Sequence, residues 1–178
     1  MSRAAREFPR PVPLARIGVE PYRQEIEASE AERAALAQRF DLLSLDRLSA
    51  SVELVRRAPD MILLHAAFTA GFAQSCVISL DPVEGAIADE FVLLYGPPER
   101  EEEAGAMVAE DIAFEPLPGE AIDIGEAVAQ EFSLLLPQFP RLPNAEPEIA
   151  AEPEIAAEPD APAGPFAALA RLAGRRAD

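Results

Sequence analysis

Lysine and tryptophan are absent from this 178-residue chain, and histidine and cysteine occur once each. All 15 basic side chains are therefore arginine, set against 32 carboxylates for a formal charge of −17. The lone Cys76 excludes an intramolecular disulfide and any zinc site built from several cysteines. The shortage of cations argues against broad binding to a phosphate backbone, which needs clustered lysine and arginine. With no tryptophan and two tyrosines, nothing resembles the aromatic groove that accompanies paired acids in glycoside chemistry. Long apolar runs are missing too. A membrane helix needs roughly 20 consecutive apolar residues, and the longest uncharged stretch, Met61 to Leu80, is interrupted by His65, Thr69, Gln74 and two serines. Residues 1–20 carry Arg3, Arg6, Arg10 and Arg16, but Pro9, Pro11 and Pro13 break up the apolar residues there, so no signal-peptide core follows. These absences predict a cytoplasmic protein without membrane contact, in which a single thiol stays reduced.

Reactive constellations are equally scarce. No glycine-rich phosphate loop, nucleophile elbow or HExxH is present. Cys76 and His65 fall on neighbouring predicted strands, yet His65 is out of phase with Ile62 and Leu64, while Cys76 shares phase with Ile78 and Leu80. The two side chains are expected on different faces, which leaves no catalytic dyad. Glu99, Glu101, Glu102 and Glu103 form a charge run, the pattern of a solvated loop rather than a metal cage. Asp123 and Glu126 have the spacing of a helix cap and its third residue, which accounts for both acids. The expectation is a non-enzymatic protein without metal or cofactor.

What is present is a pattern of elements. Ser29 and Glu32 form a capping box for a helix over residues 29–40, with Leu36 and Phe40 stacked and Arg39 in the last turn. From Leu48 to Leu54 the even positions are apolar and the odd ones polar, the period of a half-buried strand. Ala58-Pro59-Asp60 reads as a turn. Met61–Ala70 reads as a second strand, Gln74–Leu80 as a third after Gly71, Pro82–Gly85 as a turn, and Ile87–Tyr95 as a fourth strand. Short connections between them imply antiparallel hairpins. The prolines at 9, 11 and 13 favour an extended edge segment. A second helix starts at Asp123, presents Ile124, Val128, Phe132 and Leu135 on one stripe, and ends at Pro137.

Charge and proline divide the chain further. Residues 1–57 hold 10 arginines and 9 acids, net +1, whereas residues 58–178 hold 5 and 23, net −18. Eight prolines fall between Pro137 and Pro165, within which Ala-Glu-Pro-Glu-Ile-Ala occurs at 145–150 and again at 151–156, followed by Ala-Glu-Pro-Asp-Ala-Pro at 157–162. Such a repeat is too polar for a solenoid core and reads as an extended acidic linker. After it, Phe166, Leu169 and Leu172 mark one face of a short helix that is marginal without a surface to dock on. A surface this acidic suits a basic protein, while Arg3, Arg6, Arg10 and Arg16, with Arg23, Arg56 and Arg57, are the candidate RNA contacts.

Several segments taken together resemble the YceD family, the large ribosomal RNA subunit accumulation proteins. They are Ala28-Ser-Glu-Ala-Glu-Arg-Ala-Ala-Leu-Ala37, Leu45-Asp-Arg-Leu-Ser-Ala50, Gln74-Ser-Cys-Val-Ile-Ser-Leu-Asp-Pro-Val83, Ile122-Asp-Ile-Gly-Glu126, Phe139-Pro-Arg141 and Pro165-Phe-Ala-Ala-Leu-Ala170. The resemblance spans nearly the whole chain. It implies a bacterial, cytoplasmic protein that supports synthesis, processing or stability of 23S ribosomal RNA, without known catalysis. It singles out Gln74, Cys76, Asp123 and Glu126 as family-motif positions. Many relatives carry two cysteines in the spacing of a metal knuckle; this chain has Cys76 alone, so the resemblance implies no such site here. The hexad repeat looks like an insertion before the family's terminal Pro-Phe motif.

The expected fold is α+β: an antiparallel sheet of four or more strands with two packed helices, an acidic proline-rich linker and a short C-terminal helix. The boundaries are a disordered terminus at 1–5, a domain at 6–143, the linker at 144–164 and the terminal helix at 165–178. The expected partner is a basic ribosomal protein or assembly factor; the alternative is direct binding of 23S RNA through the N-terminal arginines.

Overall fold

In the computed structural model, residues 6–101 and 112–146 are described. The expected terminal segment at 1–5, Glu102, Glu103, most of the linker and the helix at 165–178 lie outside them. The chain divides after Glu146 into two units, and all the elements below belong to the first.

The elements run β1 (Pro11–Pro13), β2 (Tyr22–Glu27), α1 (Glu30–Arg39), β3 (Ser44–Ala58), β4 (Met61–Ser75), β5 (Pro82–Gly96), β6 (Ala113–Pro116), β7 (Ala121–Asp123) and α2 (Ile124–Leu134). Strands β2 to β6 form one sheet in sequence order, and β1 pairs with β7 in a separate two-stranded ribbon. The long β3–β4–β5 meander is antiparallel throughout. The prolines at 11 and 13 suit β1 because a short ribbon asks few ladder donors of them.

Alternation puts the core on one face. Leu48, Ala50, Val52 and Leu54 of β3 and Ile62, Leu64, Ala66, Phe68 and Phe72 of β4 are buried in one cluster with Leu36 of α1 and with Ile124, Val128 and Phe132 of α2. Phe132 meets Phe40 and Phe72 edge-on, with ring centroids 5.8 and 5.6 Å away. Phe8, Val12 and Ile17 of the N-terminal segment close the same core.

Four expectations are corrected. The sheet is mixed, because β6 runs parallel to β5, with Leu93 opposite Ala113 and Gly96 opposite Pro116. A parallel neighbour cannot be joined by a tight hairpin, unlike the antiparallel strands of the meander. Gly71 does not separate two strands. It pairs with Arg47 and Ala86 inside a continuous β4, because Ala70 and Phe72 keep the inward phase on either side of it. Gln74–Leu80 is consequently not a third strand: β4 ends at Ser75, and residues 76–81 form the turn into β5. Pro82–Gly85, expected as a turn, is the start of β5. Gly85 sits opposite Phe72, and a Cβ there would lie 2.6 Å from the Phe72 ring. The glycine makes room for an aromatic neighbour rather than a bend.

Candidate functional site

The motif positions gather at two places. At the first, Asp123 ends β7 and caps α2. Its Oδ1 accepts from the Glu126 backbone N–H at 3.2 Å and from the Arg10 N–H at 2.8 Å, and its Oδ2 accepts from the Arg6 guanidinium at 2.7 Å. Asp123 is only 7% exposed, the one buried charged residue among those described. The Ile124 N–H donates in turn to the Arg10 carbonyl at 3.1 Å. The start of α2 is thereby stitched to the N-terminal arm.

Arginines extend this seam. Arg10 donates to both carboxylate oxygens of Glu32, at 2.6 and 2.9 Å. Glu32 also closes the capping box of α1, accepting from the Ser29 N–H. At the other end of α1, Arg39 donates to Glu126 at 3.0 and 2.8 Å and to Glu7 at 3.0 Å. Forked guanidinium–carboxylate pairs of this kind fix geometry as well as charge. The hydrogen bonds from Arg10 hold the Glu32 carboxyl down at about 2, against the opposing effect of burial. Glu126 likewise raises the Arg39 guanidinium above its ordinary value.

A pH dependence follows. The folded state holds the Glu32 proton more weakly than the unfolded chain does. Its contribution is therefore complete above the ordinary carboxylate value and is lost as pH falls toward about 2. Urea midpoints measured between pH 6 and pH 2 should fall less steeply for Glu32→Gln than for the parent chain; parallel curves would show the pair contributes nothing.

Thus Arg6, Arg10, Asp123 and Glu126 come together, with both arginines facing carboxylates. Arg16 stands apart, its guanidinium 5.5 Å from the Tyr22 ring centroid. Arg3 lies outside the described residues. Arg56 donates to the carbonyls of Leu14, Ile17 and Pro59. Glu7, Glu32 and Arg39 as members of the seam were beyond sequence reasoning. Their partners are 22 to 87 positions away, and only the capping box hinted at one of them.

The second place is the turn between β4 and β5. The Cys76 N–H donates to the Asp81 carbonyl at 2.8 Å, and the Leu80 N–H to the Cys76 carbonyl at 3.0 Å. The thiol is wholly buried. It accepts from the Ser79 hydroxyl and from the N–H groups of Ser79, Leu142 and Ile78, which together draw it down to about 6 despite burial. Gln74 donates to the Pro137 carbonyl at 3.2 Å, and the Val77 N–H to the Pro140 carbonyl at 2.9 Å. Gln74 and Cys76 therefore clasp residues 137–142, the chain leaving α2, to the end of the sheet. His65 is on the open face of the sheet, 3.8 Å from Glu90 and eleven positions before Cys76 in the chain. No groups of three or more metal-binding side chains converge among the described residues, and no helix among them is long and apolar enough to cross a membrane.

Carboxylates also crowd the edge where α2 passes β5 and β6. Burial raises Glu131 first, and the charges of Glu115 and Asp89 raise it further. Burial and the same two glutamates push the Tyr95 phenol up.

No curated protein and no solved structure matches this chain. A family model, that of the large ribosomal RNA subunit accumulation protein YceD, matches residues 64–173. The span opens inside β4 and takes in the Cys76 turn, the Asp123 cap and the Phe139-Pro-Arg141 segment; the segments at 28–37 and 45–50 fall before it. With more than half its length matched, the chain belongs to the YceD family.

Proposed function

We propose that this protein is a non-enzymatic factor of the bacterial cytoplasm that supports 23S ribosomal RNA and large-subunit biogenesis by holding a basic ribosomal protein or assembly factor on its acidic body. Family membership carries the first half of this reading. The charge carries the second: 32 carboxylates against 15 arginines create a field that draws in cationic proteins and repels phosphate. The pairing of Arg6, Arg10 and Arg39 with carboxylates supports it further, because these guanidiniums are already neutralised within the fold. Exposed Glu25, Asp89, Glu90 and Glu115 are left to face outward.

Depletion of the protein should lower 23S RNA and 50S particles; normal levels of both would refute the role. Binding to salt-stripped large-subunit proteins should weaken by about tenfold or more between about 0.1 and about 1 M salt, as the screening length falls from about 10 to about 3 Å. A salt-insensitive complex would refute the mechanism. A gel shift of a 23S fragment that vanishes on removal of residues 1–24 would replace it with direct RNA binding.

A further inference from the structure

The turn at Cys76–Asp81 holds a side chain that the fold itself does not account for. Leu80 has φ of 65°, a left-handed conformation in which a branched side chain is strained and glycine or asparagine is favoured. The same leucine is 76% exposed. It is therefore unfavourable twice, in its backbone and in its solvation, and belongs to neither buried cluster. Strain of this kind persists where the surroundings enforce it, and here the Leu80 N–H donates to the Cys76 carbonyl at 3.0 Å while the Leu80 carbonyl accepts from the Ser75 hydroxyl at 3.2 Å.

Two more exposed apolar residues belong to the same region. Val77 of this turn is 50% exposed, and its N–H donates to the carbonyl of Pro140, the residue that follows Phe139, itself 76% exposed. Beside them a cleft of about 420 Å³ runs between Val77, Gln74, Phe40, Leu136 and Pro137, with Asp41 on its wall. Exposed Asp81 and Glu84 adjoin the turn, against the single positive charge of Arg141 on the facing segment. The end of the sheet is thus an apolar patch in a negative rim. Contiguous exposed apolar groups of this kind mark interaction surfaces, and the charge selects the occupant.

We propose that Leu80, Val77 and Phe139 form the anchoring surface for the basic partner, seating an aliphatic or aromatic side chain of a lysine- or arginine-rich segment whose cations meet Asp41, Asp81 and Glu84. The proposal rests on the reading that the body holds a basic protein, and it names the place. The apolar centre supplies the anchor and the rim supplies orientation and encounter rate.

The test uses the full chain, immobilised, with proteins salt-stripped from purified large subunits as the probe and mass spectrometry to identify what is retained. Leu80→Asn relaxes the backbone, so it should raise the melting temperature by about 2–4 °C while lowering retention of a basic protein at least tenfold. Phe139→Ser should lower retention similarly with the melting temperature unchanged. Glu20→Gln, exposed just before β2 at the far end of the sheet from this turn, should change retention less than twofold. Equal retention by Leu80→Asn, Phe139→Ser and parent would overturn this site and leave the basic-partner reading standing. Retention of nothing by the parent chain would overturn both. If the parent sediments as a dimer and the variants as monomers, the patch is occupied by a second copy and the proposal fails; if Leu80→Asn lowers the melting temperature, the leucine is held for the fold and the argument from strain fails.

Discussion

Asp123→Ala is expected to destabilise the protein by about 3–5 kcal/mol, because it removes at once the acceptor of the Arg6 guanidinium, of the Arg10 N–H and of the first turn of α2. The carboxylate performs three tasks at once. It caps α2, neutralises Arg6 and satisfies the Arg10 N–H at a site 7% exposed. Loss of a cap alone costs about 1 kcal/mol, and an orphaned buried donor costs about 1–3 kcal/mol more. Against a total stability of about 5–15 kcal/mol, such a loss leaves the chain near its folding threshold. Asp123→Asn separates the contributions. Its amide oxygen can still accept from Glu126 and Arg10, so only the charge facing Arg6 is lost, and Arg6 is about a third exposed. A cost of about 1–2 kcal/mol is expected for it. Urea unfolding of the two variants decides the matter. Equal losses would mean that charge, not capping, holds the junction; a loss below about 1 kcal/mol for alanine would mean that the seam is ornamental.

The sequence disclosed those parts of this structure whose causes are local. Ser29 and Glu32 announce α1 because a capping box needs only four consecutive residues. The even-numbered apolar positions of β3 announce its inward face because the period of a strand is two. Asp123 and Glu126 announce α2 for the same reason as α1. Legibility ends where the cause lies elsewhere in the chain. Val77 and Ile78 are β-branched and read as strand, yet the Val77 N–H donates to the carbonyl of distant Pro140, which helps fix the segment in a turn. Gly85 reads as a turn residue until Phe72 is seen across the ladder from it. The parallel β6 is four residues long and carries no pattern of its own; its direction shows only in its register against β5. At the candidate site, Arg10 and Asp123 were visible as residues, but their meeting depends on β1 pairing with β7. The arginines of the N-terminal arm read as candidate RNA contacts because nothing local assigns them partners; the fold gives Arg6 and Arg10 carboxylate partners far along the chain.

Gly125→Ala tests that meeting from the other side. By helix propensity the change should help, since alanine is favoured over glycine in a helix by about 1 kcal/mol. The structure expects the opposite. A Cβ at position 125 would lie 2.0 Å from the Phe8 carbonyl oxygen and 3.1 Å from its carbon. The obstacle is backbone, and it cannot retreat cheaply. Phe8 is fully buried, and Arg10, two residues on, is bonded through its N–H to Asp123 and through its carbonyl to Ile124. Relief therefore requires the arm to leave the start of α2. Exposing Phe8 alone forfeits about 1.5–3 kcal/mol, and each hydrogen bond lost with it adds about 1 kcal/mol. A net destabilisation of about 3 kcal/mol remains after the propensity gain. Gly18→Ala is the matched control, because a Cβ there meets nothing within 4 Å, and it should leave stability within about 0.5 kcal/mol of the parent. Amide exchange supplies the local readout. The Arg10 and Ile124 amides, protected by their mutual arrangement around Asp123, should exchange faster in Gly125→Ala even under conditions where the sheet stays protected. If instead the variant gains stability and those amides stay protected, the arm is not seated against α2 as described, and the arginines at 6 and 10 return to being free to meet a phosphate backbone.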